Sequence, residues 1–373
     1  MIRVHKIQLY PNNKQATYFV KACGVARFAY NWGLSEWKLK YEAGETVKET
    51  NLWRALNAVK REQYPWMREI TKCVPELAIK SDLGGVLRDF ISKGAQLPKY
   101  HKKGANDSFT LSNGHFETKE KKVWIPLLGW VNMAEGLRFS GKAICAVVTK
   151  TIDKWYITIQ VEIPDAAAMH DRSNEAVGIS MGNKSSAALS DGTVIVEAKA
   201  SIQNKRRLLR LNRELSRRQG AQNGESKSVN YQKTERKISR LQTRMANLQA
   251  DKTHQQTTKL AHEYGLICIE DTHALNQMND HSYIRDTADM GYHKFQHQLE
   301  YKAEAAGSRI IVANRWFPSS KWCSKCGSVN EKLESFDSEW TCEVCGTLHN
   351  RDVNTAMNLR DYAIRANYNQ EMQ

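Results

Sequence analysis

Apolar and polar positions alternate through "IRVHKIQLY" (2–10), the pattern of a half-buried β-strand, and Pro11 ends it. The spacing then becomes helical. Phe28, Tyr30, Trp32 and Trp37 fall within "ARFAYNWGLSEWKLKYEAG", and Gly44 is placed to stop that helix. Helical spacing resumes over about 49–92. From Pro98 the chain breaks into short alternating runs, "DSFTLSNG", "KKVWIPLLG", "EGLRFSG" and "AICAVVTKTIDKWYITIQVEI", which predict a small antiparallel barrel or sheet. "DRSNE" (171–175) reads as a linker, and "AVGISMGNKSSAALSDGTVIVE" (176–197) as three successive strands.

Two amphipathic helices follow, "NKRRLLRLNRELSRR" and "TERKISRLQTRMANLQA", joined by the Gly- and Ser-containing "QGAQNGESKS". Ile238, Leu241, Met245 and Leu248 recur at helical spacing, so they are expected to form a core stripe with Lys and Arg on the opposite face. A buried strand, "LICIED" (266–271), then a helix to about Ala306, the strand "RIIVAN" and a last helix from Val353 complete the pattern. No internal repeat or low-complexity tract interrupts it.

Charge changes the picture. The 373-residue chain carries a net +15, and fourteen basic residues face only three acidic ones between Lys199 and Arg244, a local +11. Clustered Lys and Arg release counterions from phosphates, so this segment is expected to bind a polyanion, with Lys205, Arg206, Arg207, Arg210, Arg213, Arg217 and Arg218 as its contacts. The alternative is a solvated charged helix, although such helices usually mix both signs. No stretch reaches about 18 consecutive apolar residues and no cleavage-site pattern opens the chain, so a soluble cytosolic or nuclear protein with no membrane partner is expected.

Eight cysteines are present. Cys23, Cys73, Cys145 and Cys268 stand alone in apolar settings and are expected to be inert core residues. The others read Cys323-x2-Cys326-x15-Cys342-x2-Cys345, each pair followed by a glycine (Gly327, Gly346). Four thiolates at this spacing fit one tetrahedral zinc in a closed, structural zinc ribbon, disulfides or chance being the alternatives.

Read in order, "VGIS-MG", "ICIED", "CSKCG", "CEVCG" and "RDVNTAMNL" resemble the TnpB family, the RNA-guided nucleases of bacterial transposons related to compact type V CRISPR effectors. "CGVARFAYNWGL", "LPKYHKKGANDSFTL" and "QHQLEYKAEAAGSRIIVANRWFPSSKWCSKCG" carry the likeness over almost the whole chain. The resemblance implies an α/β multidomain fold. A wedge β-barrel (1–10 and 97–170) would be interrupted by a helical recognition insert (11–96). A RuvC-like RNase H-fold domain (171–320 and 347–373) would be interrupted by the zinc ribbon (321–346). It also implies three nuclease carboxylates holding two Mg²⁺ ions, of which the second is Glu270 and the third Asp352. The first falls on Ser180.

That departure is costly. A carboxylate beside a divalent ion is worth roughly 8 kcal/mol at an effective dielectric near 20, whereas a serine hydroxyl is neutral. A fraction of that amounts to a thousandfold or more in occupancy and rate. Gly178 and Gly182, which share the strand face, have no side chains. Asp191 lies in the "SDG" turn and Asp271 points away from Glu270, so no neighbour is expected to substitute. The expectation is a degenerate triad of Ser180, Glu270 and Asp352 with no enzymatic activity. By this resemblance the chain is a nuclease-dead repressor in the bacterial cytoplasm, associated with the nucleoid through DNA. It would be monomeric with a guide RNA of the omega type, bind duplex DNA beside a short motif, and need no Mg²⁺ to bind. Lys80, Ser81 and Asn113 resemble the family's motif-reading region in position, with Lys99, Lys102 and Lys103 of "PKYHKK" close by, surface helix and loop residues being the alternative. A live nuclease using Glu270 and Asp352 is the competing reading, and a simple RNA-binding protein or a decaying transposon remnant is a third.

Overall fold

The computed structural model describes residues 2–105, 107–164, 175–181, 187–195, 199–218, 228–271, 292–334 and 337–371. The expected linker (but for Glu175), Gly182, the joint between the two basic helices and the first part of the helix before Ala306 lie outside them. The chain forms two compact units, Met1–Ala166 and Ala167–Gln373.

The first unit opens with β1 (Ile2–Tyr10), then α1 (Asn13–Glu42), whose N-terminus is closed by a reciprocal capping box between Asn12 and Gln15. Gly44, at φ 80, follows the end of α1 where the sequence places a stop. Next come α2 (Glu49–Gln63), a 3₁₀ turn (Pro65–Glu69), α3 (Cys73–Leu77), a π-helical turn (Ala78–Leu83) and α4 (Gly84–Lys93). Six further strands follow: β2 (Ser108–Ser112), β3 (Glu117–Lys119), β4 (Lys122–Ile125), β5 (Gly129–Met133), β6 (Lys142–Thr151) and β7 (Lys154–Glu162). With β1 they make one antiparallel sheet of order β2-β6-β7-β1-β5-β4-β3. Sheet and helices share a single core, in which Phe19 of α1 packs against Phe109 and Trp155 of the sheet. Gly33 lets the π turn close on α1, because a Cβ there would stand 2.9 Å from Leu83 Cδ2.

The second unit holds β8 (Ala176–Met181), β9 (Ala187–Leu189), β10 (Val194–Ile195), α5 (Lys199–Arg218), α6 (Val229–Glu263), β11 (Leu266–Ile269), α7 (Tyr292–Ala306), β12 (Arg309–Val312), β13 (Glu339–Thr341), β14 (Leu348–Asn350) and α8 (Arg351–Glu371). Its main sheet has the order β10-β9-β8-β11-β12, with β8, β11 and β12 parallel and the first three strands antiparallel. The mixed α/β class expected from the sequence is therefore present. The expected stripe on α6 is buried at Ile238 and Leu241 and half-buried at Met245, but Leu248 is 43% exposed. This corrects the sequence reading: the 20-residue α5 cannot cover all of the 35-residue α6.

Candidate functional site

The parallel register Gly178↔Cys268 and Ile179↔Ile269 fixes which residues of β8 and β11 share a face. Val177, Ile179, Ile267 and Ile269 fill one core. Gly178, Ser180, Cys268 and Glu270 belong to the other face, where α8 lies: Cys268 packs with Leu359 and Ala363. A Cβ on Gly178 would stand 1.9 Å from the Ala356 carbonyl oxygen and 2.5 Å from the Arg360 nitrogen, so glycine is what lets helix and sheet touch through backbone. Ser180 lies one pleat further along, buried, opposite Ala188 of β9.

Glu270 follows β11 and is partly buried. Its carboxylate accepts from the Ser319 hydroxyl (3.3 Å) and from the Met181 N–H. Burial pushes its pKa up to about 7 and the Asp352 carboxylate pushes the same way, while the two hydrogen bonds and Arg351 oppose them. Asp352 occupies the first turn of α8, where Asn350 Oδ1 accepts from the Val353 N–H (3.2 Å) and the helix dipole favours an anion. The three sequence-selected positions thus meet at the β8 and β11 ends, with two carboxyls and one neutral hydroxyl. Asp191 is committed to its own turn, accepting from the Thr193 N–H (2.8 Å) and the Tyr264 hydroxyl (3.3 Å).

Cys323, Cys326, Cys342 and Cys345 bring their four Sγ atoms within 4.8 Å of one another, with Cys323–Cys345 and Cys326–Cys342 both at 3.6 Å. None is disulfide-bonded. The two knuckles repeat one backbone design. Cys323 N–H donates to the Ser328 carbonyl and Gly327 N–H to that of Cys323, as Cys342 does to Thr347 and Gly346 to Cys342, both glycines at positive φ. Burial pushes the Cys323 thiol up to about 12, while the Ser328 hydroxyl pulls Cys342 down to about 6. A central cation is what would allow all four to be thiolates, so the cluster can hold a metal ion.

The expected nucleic-acid contacts divide. Lys205, Arg206, Arg207, Arg210, Arg213 and Arg217 are exposed on α5, and Arg206, Arg210, Arg213 and Arg217 fall in one stripe at helical spacing. Arg218 is instead a tie between helices, bonding Glu214 (2.8 Å), Thr234 Oγ1 (2.5 Å) and the Asn230 carbonyl (3.1 Å). Lys80 and Ser81 sit on the π turn, Lys80 paired with Glu76 (2.7 Å). Lys99, Lys102, Lys103 and Asn113 are exposed.

Four supporting residues escaped the sequence reading. Ser319 holds Glu270. Asn354 donates to the Trp322 carbonyl (2.6 Å) and accepts from Ser324 N–H, and Asn358 donates to Ser319 and Trp322 carbonyls, so the two amides fasten the cysteine ribbon to α8. His349 Nε2 stands 3.1 Å from Cys323 Sγ. The signal available was two asparagines four apart on an alanine-rich helix face.

Comparison with known proteins adds three family patterns: "Cas12f1-like, TNB domain" over residues 292–359, "Helix-turn-helix domain" (HTH_OrfB_IS605) over 1–46, and "Probable transposase" (OrfB_IS605) over 158–279. The chain is 28% identical to a protein of Escherichia coli K12 named "Putative RNA-guided DNA endonuclease InsQ", covering 96% of this chain and 91% of that one. It is 27% identical to a Streptomyces pristinaespiralis protein of the same description, covering 96% and 88%. A cryo-EM structure of a Cas12f1–sgRNA–target DNA complex shares the fold, with TM-score 0.57 and 15% identity over 94% of this chain and 83% of that one. Among the described residues, no helix is long and apolar enough to cross a membrane.

Proposed function

The chain belongs to the TnpB family of IS605 OrfB-type proteins, and from that membership we propose that it is an RNA-guided DNA-binding repressor whose nuclease site has been dismantled. The observation that carries the reading is Ser180, buried on β8 next to Met181, whose N–H binds the Glu270 carboxyl, at the position the resemblance gives to the family's first carboxylate. The five-stranded order, three antiparallel strands followed by two parallel ones with α8 on one face, supports a RuvC-like RNase H fold. Two Mg²⁺ ions held by three carboxylates would supply an activated water and a stabilised leaving oxygen. Two carboxyls, one of them pushed up to about 7 by burial, and a neutral hydroxyl do not fit that pair of ions.

What remains suits binding. The α5 stripe offers guanidinium groups to phosphate, and base pairing by a guide RNA supplies sequence, so the protein need read only a short duplex motif and the backbone. Lys80, Ser81 and Asn113 are assigned to that motif. The cysteine cluster is assigned to one structural zinc, whose tetrahedral S–S edge of about 3.8 Å lies close to the two 3.6 Å separations. The ribonucleoprotein is read as monomeric and nucleoid-associated in a bacterial cytoplasm.

The retained closeness of Glu270 and Asp352, and the names of the relatives, favour a second reading, an active RNA-guided DNA endonuclease. Purified complex with guide and matched plasmid separates the two. The repressor binds the plasmid without nicking it in Mg²⁺ or Mn²⁺. Cutting above the level of a Glu270→Ala/Asp352→Ala double variant would establish the nuclease.

A further inference from the structure

Along the outer side of α1 in the first unit runs an open groove of ≈ 870 Å³, within the ~300–1,000 Å³ of small-ligand sites. Its walls are aromatic. Phe28 meets Tyr64 (4.8 Å) and Trp66 (5.2 Å) edge-on, and Trp32 lines the same space. Trp66 is 42% exposed, with ring surface left for a further partner.

The floor contains Gly24, in the middle of a 30-residue helix. A Cβ built there would meet nothing within 4 Å, unlike Gly33 on the same helix, where it would strike Leu83. Glycine inside a helix is destabilising relative to alanine, and packing within the unit gives no reason for it at 24. Its effect is to keep the floor of the groove bare.

The rim is polar and leads to a basic strap. Asn31, which lines the groove, holds the strap by both hydrogen bonds of its amide to the His101 backbone (3.0 and 2.8 Å), and His101 stacks on Tyr30 at 3.7 Å. Lys99, Lys102 and Lys103 of that strap are exposed, whereas Lys21 and Arg27 at the rim are paired with Glu69 and Asp107.

We propose that this groove receives one unpaired base of a single-stranded RNA, stacked on Trp66 above the bare floor at Gly24, with the strap lysines on the adjoining phosphates. Aromatic faces beside a basic track are how proteins hold splayed RNA bases, and a stacked duplex presents no such base. The assignment rests on the RNA-guided reading, which supplies a permanently bound RNA.

The test uses RNA-free full-length protein and three strands of about ten nucleotides: a uridine homopolymer, the same ribose-phosphate strand without bases, and single-stranded DNA. Charge is equal in all three, so affinity differences report bases and sugars. Wild type is expected to prefer the uridine strand over the abasic one by roughly fivefold to a hundredfold, the range of one stacked base. Trp66→Ala and Gly24→Leu should both erase that preference while leaving abasic-strand affinity unchanged. Gly24→Leu should also raise the melting temperature, which separates an occupied groove from a misfolded protein. A preference that survives both variants, or one for DNA over RNA, overturns the proposal and leaves the RNA-guided reading standing. Failure of wild type to bind any strand overturns both.

Discussion

Glu270 is where residue chemistry can be read directly. Its carboxyl titrates near 7 in the fold because burial and Asp352 oppose ionisation, against ~4.3 in an unfolded chain. Below the unfolded value both states are protonated and the group costs nothing. As pH rises toward 7 the unfolded state releases its proton and the folded state keeps it, so stability falls and levels off above 7. Glu270→Gln should therefore be more stable than wild type by on the order of 2 kcal/mol at about pH 8, and much closer to it near pH 4. Urea melts at the two pH values check this. The same melts in Mg²⁺ address Ser180: the dismantled site predicts no magnesium stabilisation of wild type, and Ser180→Asp should create one. Gly178 sets a different kind of limit. Because its Cβ would overlap the Ala356 carbonyl, Gly178→Ala should cost about 3 kcal/mol or more by forcing α8 off the sheet, seen as a lowered denaturation midpoint.

A metal ion held by the cysteine ribbon would be coupled to helix α8. Its second hairpin, β13 with β14, runs into the α8 cap at Asn350; Arg351 N–H donates to the Ser338 carbonyl (2.9 Å), and Asn354 and Asn358 hold the ribbon's other end. A ribbon with a core of only Cys323, Leu333, Trp340 and Cys342 is expected to depend on the proposed cation. Chelation, or Cys342→Ser, should thus raise amide exchange over about 322–354, including the first turn that carries Asp352, while the sheet of residues 2–162 keeps its protection. The ribbon was legible because paired knuckles declare themselves by spacing. Most strands of both sheets and the α1 stop were legible because alternation and Gly44 are local signals. The run "EGLRFSG", expected as a strand, is instead the irregular connection between β5 and β6, and β3 and β5 were not read. The length of α6 was not. Its second half shares an apolar core with α7 only near its end, at Leu260 with Phe295 and Leu299, and is otherwise tied by polar groups, with Lys302 donating to the His254 carbonyl, Thr257 and Thr258, and Gln298 meeting His254. Nor was the structural use of Arg218, since a basic residue tying two helices reads in sequence like its exposed neighbours.

For the whole molecule, the uneven charge is the property from which function follows. The segment from Lys199 to Arg244 carries +11 of the net +15, and α5 presents its arginine stripe without interleaved acid on that line. Reversing Arg206, Arg210, Arg213 and Arg217 to Glu should therefore flatten the salt dependence of RNA binding, each lost phosphate contact lowering the log–log slope by about 0.7. A filter-binding titration across salt concentrations measures it, and an unchanged slope would move the phosphate track elsewhere. The proposed biological outcome combines this expected grip with Ser180 at the first triad position. Opening a duplex is nearly balanced by the heteroduplex formed, so contacts to the backbone decide how long the complex stays. On the proposed reading, without cleavage, the 42.6 kDa protein and its guide would occupy the site until they dissociate. A reporter promoter carrying the motif and a guide match should be repressed. Repression should persist in Glu270→Ala and Asp352→Ala, which remove no step the mechanism uses, and should weaken in the α5 reversal in proportion to lost RNA binding. It should vanish when the guide is scrambled or the match is moved away from the promoter. Repression that ignores the guide would instead assign the chain to protein-only DNA recognition on an inherited nuclease scaffold.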